Sequence, residues 1–254
     1  MIGVWLLFLG SAAVTVAAAA KLSEYGDVIA VRTGLGGMFI GTLLLAAATS
    51  LPELLTTINS INQDVPDMAA GNIFGSCMFN MFMLAILDLV NHRGRILRRV
   101  ALNHALSAGL AVLVGSFAIL FILADVDVQI GWVGMDSLVL IALYMGGVRL
   151  LNDNPVTQAE TALSPEQDEA LPSLLHASLG FAAATAILLL VMPWLVRSSA
   201  QIADALGVST GFIGAALVAV VTSLPEMVTT IAAARIGAYD LAIGNLFGSN
   251  LFNI

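Results

Sequence analysis

"TSLPEL", residues 49–54, lies inside an apolar run long enough to cross a membrane, and it returns almost unchanged as "TSLPEM" at 222–227. A proline removes a helical hydrogen bond and a carboxylate resists leaving water, so each is costly in lipid. Their recurrence side by side decides how the rest of the chain is read. Working outward, residues 39–80 align with 212–253 without a gap at a constant offset of 173, and 22 of the 42 aligned positions are identical. The matches include TSLPE, TTI, GN, GS and a closing Phe-Asn pair.

The surrounding composition fits only one class. Of 254 residues 59% are hydrophobic and 10% charged, against roughly a quarter charged in a soluble domain. The mean hydropathy is +0.97. An all-α polytopic membrane protein is expected, with the lipid bilayer as its surroundings. Nine basic residues against seventeen acidic ones disfavour a nucleic-acid partner, and the single cysteine, Cys77, excludes an internal disulfide. No Lys or Arg precedes the first apolar run, so residues 2–20 read as a retained span and not as a cleaved signal.

Spans are expected near 2–20, 34–61, 66–90, 101–124, 130–151, 173–196, 207–234 and 238–254. The hydrophilic stretch "NDNPVTQAETALSPEQDEALP", 152–172, reads as a cytoplasmic linker. It divides a first repeat, 1–151, from a second, 173–254; the recurring segments occupy 34–90 and 207–254. Basic residues concentrate in "NHRGRILRR", 91–99, which marks the cytoplasmic side. Alternating outward from that loop puts Lys21, Arg32, Arg93, Arg95, Arg98, Arg99, Arg149 and Arg235 inside, Arg197 and "ADVDVQ" (124–129) outside, and the N-terminus outside. The recurring spans are second and seventh, an odd separation, so the copies cross in opposite directions. That is the inverted-repeat plan of secondary transporters, with ions bound near the midplane.

Within each copy the polar residues have one chemistry. Pro52 and Pro225 free the carbonyls of Ala48 and Val221, which lipid tolerates only if they face protein, water or an ion. Glu53 and Glu226 would each cost roughly 2.5–3.5 kcal/mol at the bilayer centre. Thr49 and Ser50 lie one turn before Glu53, and Thr222 and Ser223 before Glu226. In the following span Asn72, Ser76 and Asn80 form an i, i+4, i+8 stripe that Asn245, Ser249 and Asn253 repeat. Carboxylates, hydroxyls and amides are hard oxygen ligands, suited to Ca²⁺ and also to Na⁺. Competition of the two ions for shared carboxylates is the physical basis of exchange.

These segments resemble the alpha-repeats of the sodium/calcium exchanger family, within the cation/calcium exchanger superfamily, whose motifs are similar to G-T-S-x-P-E and G-N-x-x-G-S-N. The resemblance covers about 42 residues in each half. It implies antiport by alternating access, with two peripheral helices sliding past an ion-holding core. By motif position it implies coordination by Glu53 and Glu226 and the hydroxyls of Thr49, Ser50, Thr222, Ser223, Ser76 and Ser249. The amides of Asn80 and Asn253 join them, with the carbonyls of Ala46 and Ala219 facing sodium. Ala48 and Val221 replace the motif glycine, Cys77 replaces the asparagine of the first G-S-N, and Asn253 stands where some relatives carry aspartate. The family usually has ten spans, so the second repeat is expected to be truncated.

Other polar residues have plainer readings. Asn72 and Asn245 read as interhelical hydrogen bonds, and Thr56, Thr57, Thr229 and Thr230 as back-bonding hydroxyls. Asp136 reads as interfacial, His92 as solvated, Cys77 as a small packing residue, and His104 and His176 as lying near cytoplasmic span ends. The function expected is Ca²⁺/Na⁺ antiport; the alternatives are a Ca²⁺/H⁺ antiporter of the same superfamily and a transport-incompetent fragment. A channel is disfavoured by the repeat within one chain. An enzyme is disfavoured by the lack of H-E-x-x-H and G-x-S-x-G. No cofactor and no obligate protein partner are implied; the expected location is a bacterial plasma (inner) membrane.

Overall fold

The computed structural model describes residues 1–62, 66–90, 96–124, 128–131, 133–152, 171–207 and 219–254. The linker core, His92, Arg93, Arg95 and the acidic outer loop at 125–127 lie outside the described residues, as does the first half of the seventh span. Among the described residues the helices whose bounds are given run in order α1 (Ile2–Thr33), α2 (Gly36–Asn62), α3 (Pro66–Val90), α4 (Ile96–Ala124), α5 (Met135–Asn152), α6 (Leu174–Ala205), α7 (Leu224–Arg235) and α8 (Tyr239–Asn253). A two-residue hairpin, β1 (Gln129–Ile130) with β2 (Val133–Gly134), precedes α5. Five of the described helices, α1 to α4 and α6, are long and apolar enough to cross a membrane.

The outer helices correct two expected boundaries. α1 runs to Thr33 instead of residue 20, and α6 runs to Ala205 instead of 196, through Pro193. Lys21 and Glu24 pair along the exposed side of α1 one turn apart, while Leu22, Gly26, Ile29 and Ala30 stay buried. An amphipathic turn therefore continues the helix where a hydropathy reading ends it. At 32 residues each, α1 and α6 are about 48 Å long, and both exceed a hydrocarbon core of about 30 Å.

These two helices pair with one another, Ala18 and Leu22 facing Ala177, Phe181, Ala184 and Leu188. Each lies against the kinked helix of the opposite repeat, α1 on α7 and α6 on α2. A methyl group at Gly180 would come within 2.4 Å of the Tyr25 ring. Gly180→Ala is expected to destabilise the protein by about 1–3 kcal/mol through overpacking, read as a lower melting temperature in detergent. At the tip of α1, Arg32 donates to the carbonyls of Leu171 (2.7 Å) and Pro172 (3.1 Å), so the end of α1 and the approach to α6 share one side of the molecule.

α8 is the centre. Every residue from Leu241 to Leu251 is buried, and the helix packs against α2, α3, α4 and α7. Its closest neighbour is α2, and glycines set that approach. A Cβ at Gly41 would lie 2.5 Å from Leu241 O, and one at Gly248 would lie 2.2 Å from Thr42 O. Small residues let two membrane helices meet backbone to backbone.

The two copies of TSLPE differ in backbone. α2 passes through Pro52 without interruption, and its irregularity comes earlier, as a π-helical stretch over Ile40–Leu45. In the second copy residues 219–222 are helical, Ser223 forms a turn, and α7 starts afresh with Pro225 in its first turn. The break expected in both copies is thus found at Ser223 and is absent at Pro52, where the helix is continuous and only changes winding upstream. Proline is tolerated in a first helical turn, where its missing N–H has no partner to lose, and π-bulges recur at functional sites.

Candidate ion-binding site

α2 and α7 bring Glu53 and Glu226 into one buried polar cluster, each only 1% exposed. Each is tied to a hydroxyl of the opposite repeat. Ser223 Oγ donates to Glu53 Oε1 at 3.0 Å, and Ser50 Oγ donates to Glu226 Oε1 at 3.0 Å. Ser249 also donates to Glu226 Oε1 at 3.2 Å and lies 2.9 Å from Ser50 Oγ. The offset of 173 maps one serine–glutamate pair onto the other, so the sequence repeat is a spatial repeat of the site.

The threonine–asparagine contacts behind the acids obey the same two-fold relation. Thr49 Oγ1 lies 3.3 Å from Asn245 Oδ1, and Thr222 Oγ1 lies 3.2 Å from Asn72 Oδ1. Asn72 Nδ2 donates to Glu53 O and Thr57 Oγ1, both at 3.2 Å, while Asn245 Nδ2 donates to Thr229 Oγ1 at 2.9 Å and approaches Thr230 Oγ1 at 3.4 Å. Both asparagines therefore hold helices together, as the plainer reading expects. Thr56 and Thr229 bond back to Pro52 O and Pro225 O at 2.8 Å. Such bonds average about 0.6 kcal/mol in a membrane protein, so their main effect is to fix position.

What the protein leaves unsatisfied is as informative. Glu53 Oε2, Glu226 Oε2, Ser76 Oγ and Asn80 Oδ1 are buried and have no hydrogen-bond partner among the described residues. Leaving such groups unpaired costs about 1–3 kcal/mol each. All four atoms can ligate through oxygen, and they belong to α2, α7 and α3. The donor set fits a hard cation. Among the described residues no group of three or more His, Cys, Asp or Glu gathers, so the formal charge available is that of two carboxylates.

The remaining expected site residues are placed as follows. Ala46 and Ala219 are buried, and their carbonyls accept from Thr49 Oγ1 (3.3 Å) and Thr222 Oγ1 (3.0 Å). Asn80 lies on α3, its Nδ2 donating to Asn250 Oδ1 at 3.0 Å. Asn253 is half-buried at the end of α8, and its Nδ2 has no partner. Asn250 is not among the site residues the sequence singles out; the signal it carries is that the offset sets it opposite Cys77, the position departing from G-S-N. Away from the acids, His104 of α4 lies 3.0 Å from Asp240 in the first turn of α8, which anchors a peripheral helix to the core. A cavity of about 380 Å³ between α4, α5 and the end of α8, lined by Val114, Ile141, Tyr144 and Leu251, contains none of the expected site residues.

Comparison with known proteins identifies a family and a fold. The family described as sodium/calcium exchanger protein matches residues 3–151 and 176–254. Inner membrane protein YrbG of Escherichia coli is 29% identical over 226 residues, covering 87% of this chain and 67% of the relative. Sodium/calcium exchanger MaX1 of Methanosarcina acetivorans is 49% identical over 61 residues, 24% of this chain and 17% of that protein. Among solved structures, the sodium-calcium exchanger NCX_Mj soaked with 10 mM Na⁺ superposes with a TM-score of 0.69 at 23% identity. That match covers 100% of this chain and 80% of the other, and it shows a shared fold.

Proposed function

The chain belongs to the sodium/calcium exchanger family, a family of membrane transporters, and on that premise we propose that it exchanges Ca²⁺ for Na⁺ by alternating access. The observation that carries this reading is the crossed pair of buried acids with one unpartnered carboxylate oxygen on each. Two carboxylates neutralise one Ca²⁺ or balance two Na⁺, and one cluster cannot hold both loads at once. Ca²⁺ takes six to eight oxygens, and the hydroxyls of Ser50, Ser223, Ser76 and Ser249 with the Asn80 amide supply neutral ones. Neutral ligands keep the ion from being held too tightly to leave. A role for Thr49, Thr222 and the carbonyls of Ala46 and Ala219 requires each threonine hydroxyl to turn from its helix carbonyl toward the ion. Asn253 would complete the set by swinging inward.

In this reading α1 and α6 are the moving pair. They meet the core through apolar side chains, and even a methyl added at Gly26 would meet Leu241 only at an ordinary 3.9 Å. The basic-residue asymmetry supports an N-terminus outside, and the shared side of Arg32 and residues 171–172 accords with it. The Escherichia coli relative's designation as an inner membrane protein supports the same membrane here.

The test is ⁴⁵Ca²⁺ uptake into proteoliposomes at fixed pH. Uptake is expected only when Na⁺ is loaded inside and diluted outside. Uptake driven equally by a proton gradient without Na⁺ would reassign the coupling ion, and no gradient-driven uptake of either kind would refute antiport.

A further inference from the structure

The two repeats meet again one turn beyond the acids, and there the symmetry fails at a single atom. Asn250 Nδ2 reaches Cys77 O at 3.5 Å, and Cys77 Sγ reaches Asn250 O at 4.0 Å. Positions 77 and 250 are related by the offset of 173, so each side chain crosses the pseudo-two-fold axis to the other's backbone. The thiol reproduces the donor half of an asparagine but has no amide oxygen. In one half, Asn250 Oδ1 accepts Asn80 Nδ2 at 3.0 Å. That bond turns Asn80 Oδ1 away from Asn250, and this oxygen is buried without a partner. The mirror bond would run from Asn253 Nδ2 to an acceptor on residue 77. Cys77 has no such oxygen, only a weakly accepting sulfur, and Asn253 Nδ2 is buried with no partner among the described residues.

We propose that Asn250 is a positioning residue that aims the Asn80 amide oxygen into the ion site, and that Cys77 leaves the mirror amide of Asn253 unaimed, making the site one-sided. This rests on the cation-exchange reading above. A neutral hydrogen bond is worth about 1 kcal/mol, so an aimed amide changes ion affinity by about five- to tenfold. Cysteine is already accommodated at 77, so its mirror substitution, Asn250→Cys, places there a side chain that the fold tolerates at the related position.

Three variants test the idea in proteoliposomes and by melting in detergent. Asn250→Cys is expected to raise the KM for Ca²⁺ about five- to tenfold while kcat changes less than twofold. Cys77→Asn is expected to lower KM and, without any added ion, to raise the melting temperature by a few degrees, because a buried amide gains its acceptor. The swap Cys77→Asn with Asn250→Cys moves the aimed amide from Asn80 to Asn253 and should return KM toward the wild-type value, which lost packing at 250 would not do. An unchanged KM in folded Asn250→Cys, or a swap no better than Asn250→Cys alone, overturns the proposal. So does an unchanged or lower melting temperature in folded Cys77→Asn, a readout independent of transport. Wild-type protein without gradient-driven Ca²⁺ uptake would instead sink the exchange reading, leaving the melting experiment to judge the amide pairing alone.

Discussion

Glu53→Gln or Glu226→Gln is expected to abolish gradient-driven Ca²⁺ exchange while the protein remains folded. Each substitution keeps the shape and still offers an oxygen to the serine of the other repeat, Ser223 in one case and Ser50 in the other. What it removes is half of the formal charge set against a divalent ion. Loss of one partner of a buried charge interaction costs about 2–5 kcal/mol, or about thirtyfold to several-thousandfold in affinity. Two like charges confined in one buried cluster repel, so removing one should not lower the melting temperature measured in chelator. The rise in melting temperature that Ca²⁺ confers on the wild type should vanish in both variants. Retained Ca²⁺ flux in either would remove that acid from the site.

A comparable loss is expected from Gly248→Ala, by another route. The added methyl would lie 2.2 Å from Thr42 O and 2.6 Å from Thr42 Cα, both backbone atoms that cannot rotate aside. α8 must then back away from α2. Overpacking of this kind costs about 1–3 kcal/mol, and a drop of about 2–12 °C in melting temperature is expected at this chain length. Ser249 is the next residue, and its 2.9 Å approach to Ser50 would open, so flux should fall even at temperatures where the variant is folded. Gly109→Ala on α4 is the control, because nothing lies within 4 Å of its added carbon. Equal melting temperatures for the two variants would show that the glycine at 248 does not set the helix approach.

The buried cluster of the candidate site was legible because a repeat doubles the signal. A lone Glu53 in an apolar span is ambiguous, but Glu226 with the same Thr, Ser and Pro neighbours is hard to explain except by shared chemistry. Asn72 and Asn245 were legible as ties between helices for the same reason, since they stand a turn away from the Ser-Asn pairs. The ends of α1 and α6 were not. Lys21, Ser23 and Glu24 interrupt the hydropathy, and only the packed helix shows that Ser23 is buried while its charged neighbours face outward. Nor was the direction of the Asn80 amide legible. It depends on Asn250, 170 positions away, meeting it across the centre of the fold. The π-helical stretch of α2 left no mark either, because Ile-Gly-Thr-Leu-Leu-Leu has no residue that forbids an ordinary α-helix.

Since each acid leans on a hydroxyl borrowed from the opposite half, neither half is a self-sufficient cage. Were the two repeats separate polypeptides, both would have to insert in opposing directions into the same bilayer and find one another before the cluster could form. Fusion into one chain removes that search, and it also binds the fates of the copies together. A change at Ser50 is felt first by Glu226, so drift in one half is answerable in the other.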